Sequence, residues 1–189
     1  MFVTHDRYEA LNVGDRVAVL REGRVVQVDR PEIVYNRPCN CYVATFLGPA
    51  TFLPARVERG GVVTEAGRLP QRVDAPEGAR VEVMVRPDDV LLQPLEPARS
   101  PAVAGPAGDG PGGALGNALD ERAGCGTVVS RERRDGFYLY SVRLASGTLI
   151  SSELPHTHEY DPGDRVQVVL DPGHPLCCFR DGCLLQPGS

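Results

Sequence analysis

Gly78-Ala79-Arg80-Val81-Glu82-Val83-Met84-Val85-Arg86-Pro87 decides how this chain is read, because its pattern returns as Gly163-Asp164-Arg165-Val166-Gln167-Val168-Val169-Leu170-Asp171-Pro172. The Gly, the first Arg, two Val and the closing Pro match identically. Each copy reads as a turn into an alternating strand, with Val81, Val83 and Val85 on one face and Val166, Val168 and Leu170 on the equivalent face. A strand group lies upstream of each: residues 53–57 with Val62-Val63 in the first, residues 127–130 with 137–144 in the second. Two similar β-rich halves predict a mainly β protein, a duplicated small barrel of the oligonucleotide/oligosaccharide-binding (OB) type. Between the halves, residues 98–118 hold six Ala, six Gly and three Pro. That composition buries no core and predicts a flexible insertion over residues 97–122.

The first 48 residues mix helix and strand patterns. Phe2-Val3-Thr4 reads as the end of a strand. Asp6 with Glu9 forms a capping-box pattern that opens a helix from Arg7 to about Asn12, stopped by Gly14. Val17-Ala18-Val19-Leu20 is a continuous apolar run, expected as a strand buried on both faces. Glu22-Gly23 turns it into a hairpin with Arg24-Val25-Val26-Gln27-Val28. Asp29 is the expected cap of a helix with Pro31 in its first turn. A further helix after Pro38 places Val43, Phe46 and Leu47 on one face and ends at Gly48.

Composition narrows the chemistry. The 189 residues carry 20 basic against 25 acidic side chains, a net charge of −5, and every basic residue is Arg. Without Lys there is no P-loop Lys, Schiff base or Lys general base. The acidic balance, with no basic run, speaks against nucleic acid as a partner. No stretch approaches the roughly 20 apolar residues that span a bilayer. The N-terminus shows neither a basic nor a long apolar signal region. The expectation is a cytosolic protein whose six Cys are reduced thiols.

Few residues stand out as chemistry-bearing. His5 follows the expected strand end and precedes a capped helix, where it either faces a ligand held by neighbouring loops or is a surface side chain. His156-Thr157-His158 reads as two imidazoles on one side of a strand, a metal pair without a third ligand, or as a polar loop. Cys39, Cys41, Cys177 and Cys178 read first as small buried hydrophobes and only second as soft-metal ligands. Arg131-Glu132-Arg133-Arg134-Asp135 reads as a solvated hairpin end. Turns at Gly60-Gly61, Gly147-Thr148 and Ser151-Ser152 offer backbone donors to an anion. No metal site and no nucleophilic triad is expected.

The ordered series Val3-Thr4-His5-Asp6, Glu9-Ala10-Leu11, residues 15–20, residues 23–27, residues 31–38 and residues 43–48 resembles the end of the ATP-binding subunit of bacterial ABC importers for sugars, polyamines, sulfate or ferric iron. Residues 85–90 and 140–144 resemble signatures of the TOBE domain that follows that cassette. The resemblance implies a remnant of the nucleotide-binding domain at residues 1–48 and an OB-like TOBE domain at residues 49–189. It implies that His5 matches the switch-loop His contacting the γ-phosphate of ATP. For the complete family member it further implies ATP and Mg, a homodimer, permease membrane subunits as partners, and a place at the inner face of the plasma membrane.

The chain contains no Gly-x-x-x-x-Gly-Lys-Ser/Thr, no LSGGQ-type signature and no apolar strand ending in Asp-Glu. A charge-assisted hydrogen bond contributes ~1.5–3 kcal/mol net, whereas micromolar nucleotide binding requires about 8 kcal/mol. His5 alone is therefore expected to support neither tight ATP binding nor hydrolysis. The expected function is a truncated importer ATP-binding component contributing a regulatory or docking TOBE domain. The alternative is a free-standing TOBE protein that binds a small oxyanion of the molybdate or sulfate class. A third reading is a gene remnant in which residues 1–48 expose apolar strand surface and are less stable than the barrel.

Overall fold

The computed structural model describes residues 3–95 and 123–188; the insertion expected at 97–122 lies outside them, as does Phe2. The chain opens with α1 (Arg7–Val13), β1 (Val17–Arg21), β2 (Arg24–Asp29), α2 (Pro31–Asn36) and α3 (Cys41–Leu47). The Asp6 carboxylate accepts the backbone N–H groups of Tyr8 and Glu9, so α1 starts where the capping pattern puts it. Three local expectations need correction. Val3 and Thr4 lie in no strand. Helix α2 is capped by Arg30 without a side-chain bond, because the Asp29 carboxylate turns to the Arg30 N–H instead. In α3 the buried residues are Val43, Ala44 and Leu47, while Phe46 is exposed and stacks on Tyr42.

The run 17–20 is likewise not buried on both faces. Strands β1 and β2 pair only with each other. One face of β1 packs Val17 and Val19 against Val34, Val43 and Leu47, and Leu20 on the other is 58% exposed.

The barrel follows as β3 (Thr51–Glu58), β4 (Gly61–Thr64), β5 (Gly67–Leu69), β6 (Arg80–Val85), a 3-10 turn (Pro87–Asp89) and β7 (Val90–Pro94). The second half is β8 (Ala123–Arg134), β9 (Phe137–Leu144), β10 (Leu149–Pro155), β11 (Arg165–Leu170), β12 (Cys178–Arg180) and β13 (Cys183–Leu184). One sheet runs β10-β9-β8-β11-β7 and the other β13-β12-β6-β3-β4-β5. Each half therefore builds the same four-strand order, β6-β3-β4-β5 and β11-β8-β9-β10. Each then sends its last strand across: β7 pairs with β11, and β12 pairs with β6. The duplication legible in the sequence is real, and its two copies are interlocked by this exchange.

Backbone bonds explain the matched glycines. Gly78 and Gly163 take left-handed conformations, φ 83° and 101°, which a side chain disfavours. The Gly78 N–H donates to Val57 O and the Val57 N–H to Ala79 O; the Gly163 N–H donates to Val128 O and the Val128 N–H to Asp164 O. The same turn thus anchors each copy to its neighbouring strand.

Alternation puts Leu53, Val83 and Val85 of one sheet against Val142, Val166 and Val168 of the other in one core. Each fully buried side chain of this kind contributes about 1.5–3 kcal/mol. Tyr140 is fully buried, and its hydroxyl donates to His158 O at 2.6 Å. Closure is polar as well: Ser152 Oγ donates to Val90 O at 2.6 Å and the Gly124 N–H donates to Ala66 O at 3.2 Å.

Candidate functional site

Two regions carry the polar groups that bear on function: the turn holding His5, and the junction between residues 3–48 and the barrel. His5 sits in an exposed bend just before α1. Thr4 Oγ1 accepts the Asp6 N–H and donates to Glu9 Oε2 at 2.8 Å, so the bend is held from both sides. The Arg7 guanidinium reaches Phe46 O at 3.3 Å and ties α1 to the end of α3. The geometry presents the imidazole to solvent.

The junction is built around Arg86. Strand β6 ends there because Pro87 follows, and the Asp89 carboxylate accepts the Arg86 backbone N–H at 2.8 Å, forming the 3-10 turn. The Arg86 side chain then runs inward, only 3% exposed. Its guanidinium donates to Tyr35 O at 2.9 Å and Pro49 O at 3.3 Å, and lies 3.7 Å from the Tyr35 ring centroid. Burial lowers its pKa from the ordinary value, but a guanidinium stays protonated at neutral pH. Its Nε has no partner. Asp89 is also buried, which pushes its carboxyl up, and His174 Nε2 lies 3.6 Å from it.

Apolar and backbone contacts complete the junction. Ala44 of α3 packs with Met84, Cys177 and Phe179, and the Phe52 ring meets Phe179 edge-on at 5.5 Å. Asn40 forms a β-bridge with Cys183, flanked by bonds from Cys41 N–H to Gly182 O and from Leu184 N–H to Cys39 O. None of these contacts between separated segments was evident in the sequence. In the sequence Arg86 is part of the 85–90 signature, and its partners Tyr35 and Pro49 lie far away along the chain.

The other candidates separate. His156 and His158 lie in the turn after β10, not on a strand. His156 Nδ1 meets Gly136 O, and His158 Nδ1 meets Thr157 Oγ1. Among the described residues no group of three or more His, Cys, Asp or Glu is placed to hold a metal ion. Ser151-Ser152 is strand, not turn, and Ser152 is buried. At the 146–148 turn, the Ser146 N–H and hydroxyl both donate to the Glu65 carboxylate, so those donors already serve an internal anion. The 131–135 stretch is the solvated β8–β9 hairpin end, with Arg134 paired to Glu132.

The thiols divide by burial. Cys177 and Cys178 are buried and Cys125 and Cys183 exposed. Burial pushes the Cys178 thiol up to about 11, opposed by the Gln71 amide that donates to its Sγ at 3.2 Å. At pH 8 about one Cys178 in a thousand is then thiolate. Iodoacetamide at that pH is expected to label Cys125 and Cys183 in the native protein and Cys178 only after unfolding. Peptide mass mapping reads the order, and equal rates at Cys178 and Cys183 would contradict it.

A family model for the TOBE domain matches residues 83–177, from within β6 to the residue before β12. The chain belongs to the TOBE domain family. The TOBE match includes Arg86, Asp89, His174 and the exchanged strand β7, and ends just before β12. Curated relatives align over more of the chain. The spermidine/putrescine import ATP-binding protein PotA of Pseudomonas fluorescens is 34% identical over 170 residues, covering 86% of this chain and 40% of that protein. The sulfate/thiosulfate import ATP-binding protein of Chromobacterium violaceum is 33% identical over 158 residues, covering 82% and 43%. The chain therefore spans about two-fifths of the length of the curated relatives it matches. Among solved structures, the cytoplasmic molybdate-binding protein ModG is similar at 14% identity over 65% of this chain and 90% of that one, with a TM-score of 0.46. No helix among the described residues is long and apolar enough to cross a membrane.

Proposed function

We propose that this chain is the TOBE-bearing part of an ABC importer ATP-binding component, with residues 1–48 the end of the nucleotide-binding domain and residues 49–189 the TOBE domain. The observation that carries this reading is the extent of the alignments. They cover 82–86% of the chain with import ATP-binding proteins, well beyond the TOBE match itself. Surface chemistry supports it. Large exposed apolar side chains gather in the first segment, where Val3, Tyr8, Val13, Leu20, Val25 and Phe46 are 41% or more exposed. Exposed apolar side chains in such number suit a segment that packs against further protein.

In this reading the barrel docks to the cytoplasmic face of permease subunits and transmits their state, and His5 meets the γ-phosphate only within a complete cassette. ATP and Mg would be held by other parts of that cassette; this chain's own contribution is one imidazole on a rigid turn. Alone, the chain does not hydrolyse ATP.

The test is to sequence the DNA upstream of the Met1 codon and translate all three frames. The expected result is a frame carrying a phosphate-cradling Gly-x-x-x-x-Gly-Lys-Ser/Thr, a signature loop and an apolar strand ending in Asp-Glu. The joined protein should hydrolyse ATP, and His5→Ala in it should lower kcat by about 10²-fold or more, in the range for loss of a transition-state contact. Absence of those elements in every frame, or ATPase activity co-eluting with the 189-residue chain, would overturn the reading.

A further inference from the structure

The outer face of β3 and β6 carries charges that the fold does not use. Arg56 and Arg80 are directly opposed in the β3–β6 ladder, which puts their Cβ atoms about 5 Å apart. Both point away from the core, because Val57 and Val81 beside them pack into it. Like charges so placed destabilise a sheet. Neither side chain makes an ion pair, hydrogen bond or ring contact among the described residues. Arg68, in the same row two strands away, is matched: it meets Glu58 at 3.5 Å and donates to Arg59 O at 2.6 Å.

The opposed pair lines an open groove of about 800 Å³ that crosses β12, β6, β3 and β4. Three acids share the lining. Glu65 is held by the Ser146 N–H and hydroxyl, and Asp181 lies 3.9 Å from the Arg180 guanidinium. Glu82 follows Arg80 two residues along β6, opposite Pro54, and pairs with neither Arg. The groove therefore presents a cationic pair and, about 6.6 Å further along the strand, one anion. An enclosed pocket suits a small molecule, whereas a groove open along its length suits an extended polypeptide. Residues two apart in such a segment point the same way with the same spacing. We propose that this face docks an extended segment of a partner protein that carries an acidic and a basic residue two positions apart. The acid bridges Arg56 and Arg80, and the base meets Glu82. Spacing makes the contact selective, since adjacent residues point to opposite sides of the segment. The inference rests on this face and not on the transport reading.

The experiment titrates the ¹⁵N-labelled full chain with short blocked peptides, following amide shifts. A peptide containing Asp-Thr-Lys is expected to move the amides of residues 55–57, 63 and 80–82. Asn-Thr-Lys, lacking the acid, and Asp-Lys-Thr, with the wrong spacing, should each bind at least about threefold more weakly. Arg56→Gln should weaken Asp-Thr-Lys by a similar factor while holding or raising the thermal midpoint, because it relieves the opposed like charges; Arg80→Gln is the second such variant. Glu82→Gln should weaken Asp-Thr-Lys and leave Asp-Thr-Gln unchanged. No shifts with Asp-Thr-Lys at several millimolar, or equal binding of Asn-Thr-Lys, would overturn the proposal. Inorganic phosphate moving the same amides as strongly would make the face a simple anion site and overturn it. A free chain that sediments as a dimer, dissolved by Arg80→Glu, would assign the face to a second copy and overturn it as well.

Discussion

Replacing Arg86 by Ala is expected to cost about 4 kcal/mol in the stability of the docked first segment. The side chain satisfies Tyr35 O and Pro49 O and covers the Tyr35 ring. A hydrogen bond to a charged donor is worth about 1.5–3 kcal/mol, and a fully buried carbonyl left unpaired costs about 1–3, less here where both bonds are part-buried. Stacking adds about 0.5–2. The desolvation of the guanidinium, visible in its lowered pKa, offsets part of this, which is why the total stays near 4 and not at the sum. Arg86→Lys should recover less than half, because an ammonium cannot lie flat on Tyr35 while reaching two separate carbonyls. Hydrogen exchange is the discriminating measurement. Amides of residues 17–48 should lose protection well before those of β3, β8 and β11. Equal loss throughout would make Arg86 a residue of the global core and not of the junction.

Gly124→Ala should be the second large effect, about 3 kcal/mol on the barrel itself. A Cβ at Gly124 collides with Glu65 O and comes within 2.8 Å of Ala66 Cα. Both obstacles are backbone, so no rotamer change relieves them. The clash falls where the Gly124 N–H bonds Ala66 O, one of the contacts joining the two sheets. Urea melts should show the lost stability as a lower midpoint, with the slope retained if the barrel still closes. Val129→Ala, at an exposed position on the same strand, should change stability by less than about 0.5 kcal/mol. A neutral Gly124→Ala would mean the two sheets approach less closely there.

The barrel was largely legible because its signal has period two and occurs twice. Val81, Val83, Val85, Val166, Val168 and Leu170 alternate in the chain and all face the core. The exchange of β7 and β12 was not legible: a strand's own pattern says which face is buried but not which neighbour it pairs with. The run 17–20 misled for a related reason. Continuous apolarity suggests two covered faces, yet β1 has one packed face and leaves Leu20 open. The 85–90 signature contains Arg86, but nothing in it tells that the side chain turns inward. Its burial depends on Tyr35 and Pro49, which only tertiary packing brings near.

His5 stood out through its place in an ordered series of motifs, and the structure adds a firm turn beneath it.

The bond from the Cys177 thiol to Asn36 O joins residues 141 positions apart, and the bridge of Asn40 to Cys183 follows beside it. Ribosomes make about 5–20 residues per second, so roughly 7–28 s separates the emergence of the two sides. During that interval residues 1–48 have no finished barrel wall to settle on, because β12 and β13 do not yet exist. The apolar side chains of the first segment are exposed for that whole period of synthesis, which makes nascent-chain protection a requirement that the map of contacts imposes on the cell.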